Sequence, residues 1–505
     1  MRRGWLVVAA AVLAAGCGST VPPQLVNASG SLGPAGDAGL TAPNVVATSA
    51  GTAPPAGALP GSAGGVPTQG TAPNTAAVDG TGTPPPAVTN PSTGTARPGR
   101  ITAPLKIGLT YINNQQASAS LGANDPRTNS VKTVTEAYVK AINAAGGLAG
   151  RKLEAVEYEW HSGDGSWSTA ASAACAKFTQ DNHVSVVLDE AFGTVGGFRD
   201  CLQKAGVFDI TNQTVGDAVA SANAPLYAGV GALTLDRAYA AVLTQEVRSG
   251  YLGKTNHLGI VLEGCPDNQR AYARTLGPLV KRLGLAPPKL VTFDCVDSTA
   301  GGAAQGQAAI SNAILRFRQP PTVDRVMFVS AQESAVLLLF GASAQSQNYH
   351  PGYLLSSNAQ AHLFTEGGSG FPSPQLPQLH GVGNSPYTDI SAARATATDA
   401  RCLALIRPIG INPGNYDDRG QAVFTCGPFL LLEAALQRTR GDASASGLAA
   451  AVAGLGNAFA APDVLAGSTS YSSSRRDGGD LVQTFGYVSS CRCIRYSGQP
   501  AHAPR

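Results

Sequence analysis

The sequence predicts an α/β chain built from two parallel-sheet units, preceded by a long unstructured segment. Three observations carry this. Residues 106–160 read as strand, loop, helix and strand. A second series of the same kind starts near Leu233 and runs to Leu355. From Gly18 to about Ala103 the chain is Pro, Gly, Ala, Thr and Ser with almost no charge and no aromatic residue. Such a segment has too little apolar surface to offset its conformational entropy.

The opening unit sets the pattern. Ile107 to Tyr111 is a short apolar run, and Val131, Val134, Tyr138, Ala141 and Ile142 fall on one face of a helix that stops at Gly146 and Gly147. Val156, Tyr158 and Trp160 then alternate with Glu157 and Glu159, the period of a strand with one face more buried. Strand, helix and strand close only as a right-handed crossover between parallel strands. The loop after the first strand therefore lies at the carboxyl edge of the sheet, where open α/β sheets hold ligands.

Further elements follow in order. A helix carries Trp167, Ala171, Ala174, Cys175 and Phe178, and strands are expected at Val184–Leu188 and Val207–Ile210 around a helix with Phe198, Cys201 and Leu202. In a sheet of order 2-1-3-4 the two helices share a face, so Cys175 and Cys201 are expected to pair. In the second series, strands at 258–262, 289–293, 325–329 and 353–355 alternate with helices. Cys265 and Cys295 stand just past two neighbouring strand ends, a second pair. Beyond Asn358 come a strand at 380–382 and helical text around Cys402. A long apolar helix, Phe424 to Leu436, follows, with a kink expected at Gly427 and Pro428. Cys402 with Cys426 makes a third candidate pair. A hairpin is expected where residues 469–472 and 482–488 flank Arg475 to Gly479, and Cys491 and Cys493 close the set.

The N-terminus has Arg2 and Arg3 before an apolar run, Trp5 to Ala15, shorter than the ~20 residues of a membrane span and suited to a signal peptide. Its end, Leu13-Ala14-Ala15-Gly16-Cys17, resembles a bacterial lipobox, which implies lipidation of Cys17 and anchoring on the outer face of the cell membrane. Residues 1–17 are then the leader, and 18–103 a tether with a coil dimension of ~50 Å. Eight cysteines remain in an exported chain, which favours four disulfides over metal ligation. No metal or cofactor is expected: there is no CxxC pair, and the seven histidines are scattered.

A net charge of +3 over 505 residues leaves no basic face for nucleic acid. No GxSxG, HExxH, P-loop or GxGxxG motif marks an enzyme. Asp189 beside Glu190 is no acid and base couple, because adjacent residues on a strand point to opposite faces.

Several of these residues carry a family resemblance. Ile107 to Tyr111, then Ala137-Tyr138-Val139-Lys140-Ala141-Ile142-Asn143-Ala144-Ala145-Gly146-Gly147 and Gly150-Arg151-Lys152-Leu153, resemble the opening of type I periplasmic binding proteins of the branched-chain amino acid group. Gly259-Ile260-Val261-Leu262 and Asp477-Gly478-Gly479-Asp480 before Phe485-Gly486-Tyr487 extend the likeness over residues 104–496. The resemblance implies two Rossmann-like lobes joined by a three-strand hinge, closing on a small ligand. Lobe 1 is then 104–230 with 358–465, and lobe 2 is 231–357, completed by a C-terminal hairpin in 466–505. It also implies an extracytoplasmic, non-enzymatic binder that delivers its ligand to an ABC permease. A lipoprotein that senses ligands or regulates cell-wall enzymes is the competing expectation.

The family's contact positions correspond to Tyr111, then Ala191, Phe192, Gly193 and Thr194, then Asn212, Gln213, Thr214 and Val215 on the first lobe. On the second they correspond to Asp267 and Asn268, Ser330 and Glu333, and Ser356 and Ser357. Free backbone N–H groups at the first-lobe loops suit an anion. Where amino-acid binders of the family place an acid for the ligand's ammonium, this chain has Ser357, which leaves amides, short peptides, aromatic acids and sugar derivatives open beside amino acids.

Overall fold

A computed structural model describes residues 101–113, 129–161, 165–193, 195–295, 300–365, 370–389 and 396–504. The leader, Cys17 and the tether lie outside the described residues, as does Thr194.

The first lobe alternates strand and helix as its sequence predicts: β1 (Leu105–Asn113), α1 (Val131–Ala144), β2 (Leu153–His161), α2 (Trp167–Ala176), β3 (Val186–Asp189), α3 (Gly196–Lys204), β4 (Phe208–Thr211), α4 (Ala218–Asn223) and β5 (Tyr227–Gly229). All pairings are parallel, in the order β2-β1-β3-β4-β5. The N-terminus of α1 is capped by Ser130, whose hydroxyl accepts from the Thr133 N–H at 3.1 Å. Val134, Tyr138, Ala141 and Ile142 are its buried stripe. The turn after α1 needs glycine at 147: φ is +88°, and a Cβ there would stand 2.0 Å from the Arg151 carbonyl oxygen.

The second lobe repeats the scheme with α5 (Leu235–Ser249), β6 (Leu258–Glu263), α6 (Pro266–Ala271), α7 (Gly277–Arg282), β7 (Lys289–Phe293), α8 (Ala300–Phe317), β8 (Arg325–Val329), α9 (Glu333–Ser346) and β9 (Gly352–Leu354). Its sheet is parallel in the order β7-β6-β8-β9. Successive strand residues feed opposite cores: Ile260 and Leu262 pack with α5, whereas Val261 packs with α8 and α9.

The remaining elements are β10 (His380–Gly383), α10 (Ala397–Ile406), α11 (Tyr416–Arg438), α12 (Ala445–Ala453), β11 (Leu481–Val488) and β12 (Cys493–His502). Helices α10 to α12 cover the first sheet, where Tyr138 and Phe429 sit 5.8 Å apart in one core. Helix α11 runs on through Gly427 and Pro428. Strands β10, β11 and β12 form an antiparallel sheet.

Two boundaries differ from the sequence reading. Residues 358–379, expected in the first lobe, put Ala359, Ala361, Phe364, Phe371, Leu376 and Leu379 into the second-lobe core, and β10 extends that lobe through a bridge from Leu355 to Gly381. The chain returns at about 384 instead, because this apolar run is buried where the partner surface is apolar. Residues 469–479 make only isolated bridges with one another, Thr469 to Gly479 and Ser472 to Arg475. Strand β11 pairs instead with β10 and with β12, a strand the sequence reading did not place.

All four expected disulfides form. Cys175–Cys201 joins α2 to α3, Cys265–Cys295 joins the loops after β6 and β7, Cys402–Cys426 joins α10 to α11, and Cys491–Cys493 closes the β11–β12 turn.

Candidate functional site: the seam between the lobes

Three crossovers connect the lobes, and Asn384 gathers them. Its amide nitrogen Nδ2 donates to the Gly231 carbonyl of the first crossover at 3.0 Å. Its carbonyl accepts from the Leu465 N–H of the third at 2.8 Å, and its own N–H donates to Ser357 Oγ at 2.8 Å. A second tie is Arg237 on α5, which pairs with Asp477, donates to the Pro504 carbonyl at 2.8 Å and reaches the Gly479 carbonyl at 3.0 Å. Asp477 also accepts from the Thr234 N–H at 3.1 Å. The lobes thus hinge on crossovers bonded to each other, and the carboxyl edges of both sheets carry loops into a common seam.

On the first lobe, the loop after β3 is folded around Asp189. Its Oδ1 accepts from Thr110 Oγ1 at 2.5 Å and from the N–H groups of Ala191 and Phe192 at 3.0 and 2.7 Å. Those N–H groups, expected to face an anion, are thereby used within the loop. Burial raises the Asp189 carboxyl above its ordinary range, against the pull of these donors. Asp209, buried next to Arg199 at 3.8 Å, is raised well above the carboxylate range, first by burial and then by Asp189. Arg199 donates to the Gly193 carbonyl. Residue 193 must be glycine for the loop after β4 to pass: a Cβ would lie 2.7 Å from Gln213 Cβ and 2.8 Å from Thr211 Oγ1. Gln213 ties the two loops by donating Nε2 to the Glu190 carbonyl at 2.8 Å.

On the second lobe, a buried polar network lies under the strand ends. Glu263 accepts from Asn268 Nδ2 at 3.2 Å and from Ser330 Oγ at 2.7 Å. Tyr239 donates to the Ser330 carbonyl at 2.7 Å. Glu333 accepts from the Ser356 N–H at 3.0 Å and from the Ser356 hydroxyl. Burial pushes the Glu333 carboxyl up to about 7, opposed by the Ser356 and Tyr239 donors.

The expected contact residues therefore divide. Tyr111 is 1% exposed in the first-lobe core, with its hydroxyl on Glu157 at 2.6 Å. Phe192 packs against Phe198 at 5.1 Å, and Val215 is buried with Ala224 and Tyr227. Asn268, Ser330 and Glu333 are fully buried members of the second-lobe network. Apolar and bonded side chains at strand ends turn inward because the sheet faces offer burial and partners that the seam does not. Of the others, Gly193 is packed within the first lobe against Gln213, Asp267 pairs with Arg270, Ser357 accepts from the Asn384 N–H at the crossover, and Thr214 reaches Asn358 of the other lobe.

Direct contacts cross the seam. Thr214 Oγ1 donates to Asn358 Oδ1 at 2.5 Å. Arg270 on α6 pairs with Asp217 of the first lobe at 3.0 Å, and also with Asp267. His362 Nε2 stands 3.7 Å from Asp417 Oδ1 at the start of α11, with its ring edge-on to Tyr416. Burial lowers the His362 pKa to about 4. Asn358 is one residue past Ser357, the contact position expected from the sequence. Arg270 with Asp217 and His362 with Asp417 have no sequence signal, since each of these two pairs is more than 50 residues apart.

Buried polar atoms at this seam without a hydrogen-bond partner among the described residues include Asn212 Oδ1, Asn358 Nδ2, His362 Nδ1 and Tyr416 Oη. An orphaned buried polar atom costs about 1–3 kcal/mol, so such atoms mark places built to meet another polar group.

No family model matches the sequence, and no curated protein matches it significantly. Solved structures do match. A solute-binding protein of an ABC transporter from Rhodopseudomonas palustris BisB5, in complex with 3,4-dihydroxybenzoic acid, aligns over 80% of this chain and 99% of its own, with TM-score 0.56 and 13% identity. A leucine-binding protein from Thermotoga maritima aligns over 78% and 98%, with TM-score 0.55 and 12% identity. The chain has the type I periplasmic-binding-protein fold. A fatty acid ABC transporter substrate-binding protein from Thermomonospora curvata shares this type I fold at 17% identity, with TM-score 0.55 over 80% and 94% of the two chains. At these identities the likeness extends to the fold alone. Among the described residues no helix is long and apolar enough to cross a membrane.

Proposed function

We propose that this chain is an extracytoplasmic solute-binding lipoprotein, anchored through Cys17, that captures a small polar ligand between its lobes for an ABC-type permease. The observation that carries the reading is the set of orphaned polar atoms at the seam, Asn212 Oδ1 from one lobe with Asn358 Nδ2 and His362 Nδ1 from the other. An amide-type acceptor together with an amide-type donor complements an amide or an amino-acid-like group. The ligand would be held by Gln213, Thr214 and Asn212 on the first lobe and by Asn358, His362 and Ser357 on the second. Asp267 and Arg270 would flank the entrance to the seam.

The carboxylates at and just past the strand ends, Asp189, Glu190, Glu263 and Glu333, are all buried, and Glu333 is committed to Ser356. A neutral amide therefore suits the seam better than a ligand needing a free acid for its ammonium. The similar structures named for leucine, a dihydroxybenzoic acid and fatty acids show that the fold serves chemically different ligands.

The test is a thermal-shift screen of the mature chain against amino acids, amides, aromatic acids and fatty acids. A tight ligand binds only the folded state and raises the Tm by mass action. An amide or amino acid is expected to raise it by several degrees, with the gain lost in Asn358→Ala. Silence across these pools would sink the transport reading and favour a sensor or cell-wall regulator on the same fold.

A further inference from the structure

The β11–β12 turn carries a disulfide with no evident structural duty. Cys491 and Cys493 are two residues apart, and Val488 and Cys493 are already paired in the β ladder, so backbone bonds close the hairpin just outside the sulfur bridge. The other three bridges join residues 24 to 30 apart. A crosslink constrains the unfolded chain less the shorter the loop it closes, so this one is the weakest staple of the four.

Its surroundings suit chemistry instead. Cys491 is exposed at the hairpin tip, and Arg492 between the two cysteines has a left-handed φ of +51°. Arg495, two residues along β12 and on the same face as Cys493, directs Nε to Cys493 Sγ at 3.1 Å. Its guanidinium is steadied by Asp389 at 3.8 Å. A fixed positive charge favours the thiolate form of the sulfur it touches and so makes that sulfur the better leaving group. At Cys265–Cys295, the other bridge with an exposed sulfur, the neighbour is a carboxylate: the Glu263 oxygen and both Sγ atoms lie within 4.8 Å of one another. A negative neighbour opposes thiolate formation there.

The geometry points to Cys491–Cys493 as a thiol–disulfide exchange site that accepts electrons from a dithiol. A thiolate of the dithiol attacks the exposed Cys491 Sγ, and a mixed disulfide forms there as the Cys491–Cys493 bond breaks. Cys493 departs as a thiolate against Arg495. The second thiol of the dithiol loses its proton and attacks its own sulfur in the mixed disulfide, releasing Cys491. The dithiol ends as a disulfide, the cysteine pair ends reduced, and two electrons and two protons have moved.

The experiment uses the full, oxidised chain, with graded dithiothreitol as the dithiol, quenched by alkylation and read by peptide mass spectrometry. Cys491 and Cys493 are expected to label at least about tenfold faster than Cys265 and Cys295. A brief pulse of reduced glutathione, a monothiol, is expected to leave its adduct on Cys491. Arg495→Gln is expected to slow the exchange several-fold while Arg495→Lys keeps most of it. Cys491→Ser with Cys493→Ser is expected to leave the Tm nearly unchanged. Equal or faster labelling of Cys265 and Cys295, an adduct on Cys493, or an unchanged rate in Arg495→Gln would each overturn the assignment, as would a large Tm loss in the serine pair.

Discussion

Thr214, in the loop after β4, donates its hydroxyl to Asn358 Oδ1, in the loop after β9, and so bonds the first lobe to the second at the seam. A bond that exists only when the lobes meet adds its net worth, about 0.5–1.5 kcal/mol, to closure alone. Thr214→Val keeps the shape and removes the donor. Closure should weaken by about two- to tenfold, seen as a larger radius of gyration in small-angle scattering, with the Tm of each lobe little changed. An unchanged scattering profile would show that this contact does not hold the seam.

Glu333 provides a pH test. Its folded pKa, about 7, lies above its ordinary value of 4.5. Between these values the folded chain keeps a proton that the unfolded chain has released, so stability falls as pH rises from 4.5 to 7 and levels off above. The span is up to about 3 kcal/mol. Glu333→Gln should flatten this portion of the curve in urea titrations run at several pH values. A variant that retains the full slope would place the proton elsewhere.

His362 works in the opposite sense. Its folded pKa, about 4, is below its ordinary 6.5, so the unfolded chain binds the extra proton, and stability is lost as pH falls from 6.5 towards 4. Because His362 faces Asp417 across the seam, His362→Gln should remove that acid loss. It should also remove any opening of the lobes at pH 5, and scattering at the two pH values reads this directly.

Arg237 and Asp477 form a buried pair at the hinge. Arg237→Met strands a buried carboxylate together with the Gly479 and Pro504 carbonyls, at a cost of about 3–5 kcal/mol. Adding Asp477→Leu should return a substantial part of that loss. Denaturant midpoints of the single and double variants measure both, and an additive double variant would mean the pair is not coupled.

Cys402–Cys426 closes a 24-residue separation with both sulfurs fully buried. Replacing both cysteines by alanine should cost about 3 kcal/mol by loop entropy and lower the Tm measurably.

Much of the fold was legible because it rests on local pattern. The stripe Val134, Tyr138, Ala141 and Ile142 is a helix face wherever the chain goes, and Gly147 ends that helix by its own steric requirement. Cys175 with Cys201 followed from strand order, since that order fixes which helices share a face. The binding residues were less legible. Tyr111 lies inside β1 and Phe192 three residues past β3, and the first-lobe cores claimed both.

By itself the sequence determined the alternation of strands and helices and the two parallel sheets, because periodicity, turn residues and crossover handedness are properties of short stretches; it offered the four cysteine pairs as candidates, and the packing of the elements fixed their connectivity. Only the tertiary structure decided that residues 358–379 belong to the second lobe, that Glu333 is sealed beneath Ser356, and that Asn358 and His362 face Thr214 and Asp417. Those outcomes depend on burial and on hydrogen bonds between residues far apart in the chain, and such partners become neighbours only when the lobes are packed together.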